Sequence, residues 1–433
     1  MSKFSGSAKF YIFTGLGLFV FIARPPHSND NILLMIVHAV QNILKSYYSH
    51  ITLAFMLTVC LLTIYVRFLK PKHLARYQFI RKNFNVKALQ ILFRFAALFF
   101  VISYKFLDFG SLLKLNIASA EIIEMTGSII IFITIANFFL PLLSEYGLAE
   151  FLEVMLDKII KPVFKVPGNA MVNLVTSFFV GSTMSMYLTG IQYEKGIYSK
   201  QEAMRIMTAL TVPSLSTGLL YWSVIGDSAY FFKFYGLTVL VFFTLAFIMV
   251  RMPPFTKMDS SKTILPEANH QNGNKFQRGI QKAGEKALKT RYSVKNSLTY
   301  VANILLSFVP FLITLGTLSV LLIEYTNVFE IMSYPYGLYL KFFGFGQPFL
   351  LAQTLILYTI DLIMPAVILR NIVSSNTQII MAAITMNQLI YIAPMLIIMS
   401  FQGLTTKKDF LFIFLQRIIL SVPITLLWSW IIL

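Results

Sequence analysis

The chain has 433 residues, of which 57% are hydrophobic and only 12% are charged. A water-soluble domain carries about 25% charged and about 45–50% apolar residues, so this composition excludes a soluble globular protein and makes lipid the solvent. The 36 Lys and Arg against 18 Asp and Glu give a formal charge of +18. That excess lies in short clusters between long apolar runs, which is the signature of membrane topology and gives no reason to expect a nucleic-acid partner.

In chain order, Phe10–Ala23 is the first apolar run; Lys3 and Lys9 precede it, and Ala23-Arg24-Pro25-Pro26 is a poor cleavage site, so it reads as a retained anchor or first helix. Ser46–Val66 follows and is long enough to span. Next comes a loop with Lys70, Lys72, Arg76, Arg81, Lys82 and Lys87 and no acid, the clearest cytoplasmic loop in the chain. Ala88–Phe106, Met125–Ser144, Val166–Tyr193, Ile206–Gly226 and Phe234–Val250 are further apolar runs. Met252–Lys295 is polar and basic and reads as a second cytoplasmic linker on a solvated surface. Asn296–Ile323, Phe342–Ile360, Asn371–Thr406 and Phe410–Leu433 complete the set.

With both basic loops inside, one run between Val166 and Val250 must enter and leave by the same face. Val166–Tyr193 fits, because its middle, Phe179-Val180-Gly181-Ser182-Thr183-Met184-Ser185, is rich in Gly, Ser and Thr where a re-entrant tip would lie. Non-helical backbone at membrane depth is tolerated only when buried in protein or lining a cavity, so the tip is a candidate site. The second half repeats the plan. Glu145 after the Met125–Ser144 helix corresponds to Glu324 after the Asn296–Ile323 helix, and that register places Ser182 on Asp361. Inverted repeats of this kind are a common transporter design.

Asp361 is the one acid in the sweep Phe349–Leu369 and stands beside Pro365. A carboxylate at membrane depth costs a few kcal/mol unless paired, which makes it a candidate proton acceptor, sodium ligand or contact to a solute amine or hydroxyl. The structural alternative is an acid satisfied by helix ends or by Arg370. Gly181, Ser182, Thr183 and Ser185 offer a flexible tip with hydroxyls, although hydroxyls also serve as helix–helix glue. Thr208 and Thr211 on the following segment, with Thr385, Asn387 and Gln388 on its counterpart, are expected at the same cavity. Ser199 and Glu202 form a capping box and are structural. Asn371, Ser374, Ser375 and Asn376 read as a hairpin-to-helix connection. The only cysteine, Cys60, lies in an apolar run, and the five histidines are scattered, so no resident metal or other cofactor is expected beyond a coupling Na+ or H+. No GxxxxGK[ST], GxSxG or HExxH sequence is present, and the chain does not read as an enzyme.

Gly181-Ser182-x4-Tyr187-Leu188-Thr189, then Tyr193-x2-Gly196-x-Tyr198-Ser199-x2-Glu202-Ala203-x2-Ile206-Met207-Thr208, preceded by Phe164-x-Val166-Pro167-Gly168, resembles the YjiH-like bacterial membrane proteins. These belong to the nucleoside-recognition, or Gate, group, which includes the membrane part of the FeoB ferrous-iron transporter and is similar in architecture to concentrative nucleoside transporters. The resemblance implies two inverted repeats, each with an interfacial helix and a re-entrant hairpin, and a solute site between the hairpin tips. The expected fold is thus an all-α polytopic membrane protein: N-terminal membrane helices at 1–120, a first Gate-like repeat at 121–251, the basic linker at 252–296 and a second repeat at 297–433. The expected function is a secondary transporter for a small polar solute, nucleoside-like, amino acid or dipeptide, in the bacterial inner membrane. The alternative is a non-transporting scaffold or partner subunit of another permease. Expected partners are the solute and the bilayer, with a homo-oligomer or a partner membrane subunit compatible with either reading.

Overall fold

A chain this poor in charge must satisfy its backbone polar groups internally, and helices do so within a single segment. In the computed structural model the described residues form helices and connections, with no strand among them. Described are all residues except 1–4, His27, Asn29, 70–77, 107–112, Val180, Asp227, 262–273, 291–292, Asp361, 389–391, Ser400 and Gln402. In chain order the helices are α1 (Gly6–Ile22), α2 (Ile32–Leu44), α3 (Tyr48–Ile64), α4 (Gln78–Phe84), α5 (Ala88–Phe106), α6 (Leu113–Phe139) and α7 (Pro141–Ser144). They continue with α8 (Leu148–Phe164), α9 (Ala170–Phe179), α10 (Ser182–Glu194), α11 (Lys200–Met204), α12 (Leu215–Ile225), α13 (Phe231–Met249) and α14 (Lys275–Lys289). The last seven are α15 (Val294–Tyr325), α16 (Val328–Phe342), α17 (Pro348–Leu357), α18 (Met364–Arg370), α19 (Ser375–Met386), α20 (Ile392–Met399) and α21 (Lys407–Ile432). Six stretches among the described residues are long and apolar enough to cross a membrane: Ile32–Leu69, Ala88–Phe106, Ile122–Ser144, Ser228–Met249, Ser297–Ile323 and Lys407–Ile432. The protein is therefore an all-α, multi-pass membrane protein.

Two compact units are discontinuous along the chain. The first comprises Met1–Ile32, Phe139–Tyr292 and Ser333–Leu433, and the second Leu33–Phe138 and Ser293–Met332. In the second unit α5 packs on α3 and α15. Its core joins Val59, Val66, Phe84 and Leu306, and the buried Arg94 donates to Thr63 Oγ1 at 2.7 Å and to the Asn83 carbonyl at 2.9 Å. A buried guanidinium persists only with such partners.

In the first unit α14 packs between α1 and α8. The segment read from sequence as solvated linker is thus, over α14, a docked amphipathic helix. Gly279, Ala283, Gly284 and Ala287 form its buried stripe at helical spacing. Small residues let the backbones meet: a Cβ on Gly6 would lie 2.3 Å from the Gly284 carbonyl oxygen. Across α14 and α8, Lys282 pairs with Glu153 at 2.8 Å.

The order of elements then recurs. α8, α9, α10, the broken helix α11–α12, and α13 are matched by α16, α17, α18, the broken helix α19–α20, and α21. α9 pairs with α10 as α17 pairs with α18. The contacts between halves are reciprocal, since α10 packs on α20, and α18 packs on α12. At 10, 13, 10 and 7 residues, these hairpin arms are ~10–20 Å long at 1.5 Å per residue, short of the ~30 Å hydrocarbon core. Val166–Tyr193 is accordingly a helical hairpin turning at Gly181, as its sequence suggests. Ile206–Gly226 and Asn371–Thr406, long enough as apolar runs, are each interrupted in the middle.

Candidate functional site

The interruptions have sequence causes. α11 opens with the Ser199–Glu202 capping box, passes into a π-helical turn at Arg205–Ala209, and stops before Pro213, which has no N–H to continue the ladder. Ser214 restarts the chain as the N-cap of α12, accepting from the Thr217 N–H at 3.2 Å. In the second half Asn371 and Ser374 lie in the expected connection from the hairpin, whereas Ser375 and Asn376, expected there too, open α19 behind its N-cap Ser374; α19 ends at Asn387, and α20 resumes with Pro394 in its first turn.

A helix that ends at membrane depth leaves carbonyls without intrahelical donors, and each must find one elsewhere. In the first break four of them have partners outside their own segment. The Val212 carbonyl accepts from Ser177 Oγ at 2.9 Å, which ties the unwound chain to hairpin arm α9. The Pro213 carbonyl accepts from the Tyr235 hydroxyl at 3.0 Å. The Thr208 and Thr211 carbonyls accept from Nη1 and Nη2 of Arg417, the second at 3.4 Å. Arg417 also donates through Nε to the Asn387 carbonyl, at the end of α19. One guanidinium on α21, 1% exposed, thereby closes the carboxyl ends of both broken helices. The partial negative charge of a helix C-terminus makes a cation there favourable, and the planar fork of Arg can serve two helices at once. Bonds to a charged donor contribute ~1.5–3 kcal/mol each.

Around this crossing the sequence-expected residues divide. The hydroxyls of Thr208 and Thr211 donate to their own segment, to Met204 O and Met207 O, both at 2.6 Å, so it is their carbonyls that face Arg417. Thr385 bonds the Tyr221 hydroxyl at 2.9 Å, joining α19 to α12. Asn387 Nδ2 donates to Thr238 O at 3.0 Å and to Ala383 O at 2.9 Å, while its buried Oδ1 has no partner among the described residues. Gln388 is 4% exposed, and among the described residues both its amide oxygen and its amide nitrogen lack partners. An unmade bond on a buried polar atom costs ~1–3 kcal/mol, so these three atoms favour a water or a ligand beside them.

The first hairpin is tied by side chains the sequence reading passed over. Asn173, fully buried on α9, donates Nδ2 to Thr189 Oγ1 at 2.9 Å and Gln192 Oε1 at 2.8 Å on α10, and Ser185 Oγ donates to its carbonyl at 2.7 Å. Ser185 is therefore hairpin glue in this conformation. Gly181 at the tip has φ +128° and ψ 154°, a region open essentially to glycine, with nothing within 4 Å of a Cβ built there. Ser182 opens α10 and is half-buried. The Thr183 side chain and Asp361 lie outside the described residues. Among the described residues no group of three His, Cys, Asp or Glu stands together as a metal site.

Arg417, Asn173, Ser177 and Tyr235 are absent from the sequence-derived site. The signal for Arg417 was available, because it is the lone charge within the apolar interior of α21, and an ionisable residue at that depth marks a site by default.

The fold and the crossing define a class, a helical multi-pass membrane protein of transporter-like architecture. Residues 126–228, which hold the first hairpin and first broken helix, match the Gate family, described as nucleoside recognition. Over 431 residues the chain is 27% identical to an uncharacterized protein of Alkalihalophilus pseudofirmus, covering 96% of this chain and 92% of that one. The similarity thus extends past the Gate segment at both ends. No solved structure matches.

Proposed function

We propose that the protein is a secondary transporter for a small polar solute in a bacterial inner membrane, built from two repeats of opposite orientation. The observation that carries this reading is the crossing of two broken helices at Arg417, with unpartnered buried amide atoms beside it and a helical hairpin in each half. Discontinuous helices meeting near the bilayer midplane are how secondary transporters bring backbone dipoles to a solute, and hairpins too short to cross are the parts that can open toward one side. The similarity to the Gate family supports nucleoside-like solutes as the first class to test, with amino acids and dipeptides next. A sodium or proton gradient is the proposed energy source, and Asp361 the proposed ion residue. The reading is one of transport without catalysis, and it accommodates a homo-oligomer or a partner subunit.

One observation favours the scaffold reading. Thr208, Thr385, Asn387 and Arg417 are all buried, so the crossing is closed as it stands. Counterflow in proteoliposomes separates the two. Purified protein is loaded with one unlabelled solute class at a time and challenged with tracer, with an imposed sodium or proton gradient in parallel. Tracer accumulation above protein-free vesicles for one class, lost in Gln388→Leu, is the expected result. Equal counts with and without protein for every class would leave the scaffold reading standing.

A further inference from the structure

The crossing has the ingredients of a cation seat, with carbonyls of Thr208, Thr211 and Asn387 converging from two helix ends, yet its own side chain already fills it. We propose that the ligand of this crossing is a solute bearing an oxyanion, a carboxylate or a phosphate, and that Arg417 is the fixed positive charge that receives it. The inference rests on the transporter reading only in taking the ligand to be cargo.

Charge comes first. Arg417 is 1% exposed, and among the described residues its partners are neutral carbonyls, which orient dipoles toward the guanidinium but cancel none of its formal charge. A buried charge of this kind calls for an opposite one. A sodium ion entering the same crossing would meet a guanidinium a few ångströms away in a low-dielectric interior, where like charges repel strongly.

The donor inventory points the same way. A guanidinium has five N–H groups, and three are engaged by the carbonyls. By that count each terminal nitrogen of Arg417 keeps one further N–H beyond its carbonyl bond, and among the described residues the amide NH₂ of Gln388, next in the chain to Asn387, has no partner. Arg is the side chain whose geometry matches two oxygens of a carboxylate or phosphate at once. The unpartnered Gln388 Oε1 and Asn387 Oδ1 are acceptors, so the anion's carrier also presents an N–H or O–H. Coupling to sodium, if present, then runs elsewhere in the molecule.

The test uses purified full-length protein in detergent at constant ionic strength, with matched probes: succinate against succinamide, and uridine 5′-monophosphate against uridine. Sodium chloride against choline chloride is the cation arm. The expected result is that at least one anionic member raises the melting temperature by about 2 °C or more while its neutral partner does not. Any shift specific to sodium over choline should be the same in wild type and in Gln388→Leu, as binding away from the crossing requires. Gln388→Leu, which keeps side-chain volume and leaves Arg417 in place, should weaken that binding by ~10-fold or more. Arg417→Met should abolish it, and the Gln388 variant carries the test if Arg417→Met does not fold. Four results would overturn the proposal: equal shifts from charged and neutral members, an anion shift unchanged in Gln388→Leu, a sodium-specific shift sensitive to Gln388, or no anion shift until Asp361→Asn is introduced, which would make Asp361 the internal counter-charge. A counterflow signal for a neutral solute alongside any of these would leave the transporter reading intact while removing its anionic cargo.

Discussion

Arg417→Met isolates the joint between the two broken helices. The substitution removes three charge-assisted bonds, to Thr208, Thr211 and Asn387, and leaves three carbonyls unpaired in the interior. At ~1.5–3 kcal/mol per bond the gross loss is roughly 4–9 kcal/mol. Against that, the guanidinium no longer has to be stripped of water, which returns several kcal/mol. The expected net is ~3–5 kcal/mol of destabilisation, because the three carbonyls left behind are buried and unpaired, at ~1–3 kcal/mol each. Unfolding entropy scales with size, so for a chain this long the change is about 3–6 °C in melting temperature. Arg417→Lys keeps the charge, but a single ammonium cannot reach carbonyls on both helices, and it should fall between wild type and Met. The protein supplies its own probes. Trp222, Trp428 and Trp430 all lie in the first unit with the crossing, and Cys60, buried and the only cysteine, lies in the second. Tryptophan fluorescence should move to lower temperature before the thiol becomes reactive to a maleimide dye. A tryptophan transition within about 1 °C of wild type in Arg417→Met, with normal expression, would refute the joint.

Three other substitutions probe the parts that position the crossing. Gly181→Ala puts a Cβ on a backbone with φ +128°, so despite open space around it the change should cost ~1–3 kcal/mol, read as a lowered melting temperature with no change in oligomer size. Asn173→Ala breaks the tie between the arms of the first hairpin and leaves the buried Thr189 and half-buried Gln192 groups without their donor; ~2–3 kcal/mol is expected, together with faster amide exchange in α9 and α10 relative to α13. Gly6→Val forces α1 off the Gly284 carbonyl, and limited proteolysis should then cut α14 at its Lys and Arg residues well before wild type is cut.

How much could be read in advance depended on whether one segment decided the matter. The span Ala88–Phe106 coincides end to end with α5, because in lipid an apolar run of that length has no structural option but a helix. The Ser199–Glu202 capping box formed as written, since its partners are three residues apart. The turn at Gly181 was legible because its Gly, Ser and Thr residues interrupt an otherwise bulky apolar run. The breaks in Ile206–Gly226 and Asn371–Thr406 were harder to see, because hydropathy is blind to backbone bonding and a broken helix can be as apolar as a spanning one.

The sequence by itself determined the solvent, the helical class and most of the spans, all of which follow from local composition and periodicity. Only the tertiary structure decided the site. Arg417 lies 209 residues along the chain from Thr208 and 30 from Asn387, and no pattern within either neighbourhood announces that the three meet. The docking of α14 was settled in the same way, since a basic polar segment takes a packed position only where a stripe of glycine and alanine finds another backbone to lie against. Helix ends at membrane depth must find donors wherever the fold brings them, and that requirement is satisfied in space, between residues that the chain keeps far apart.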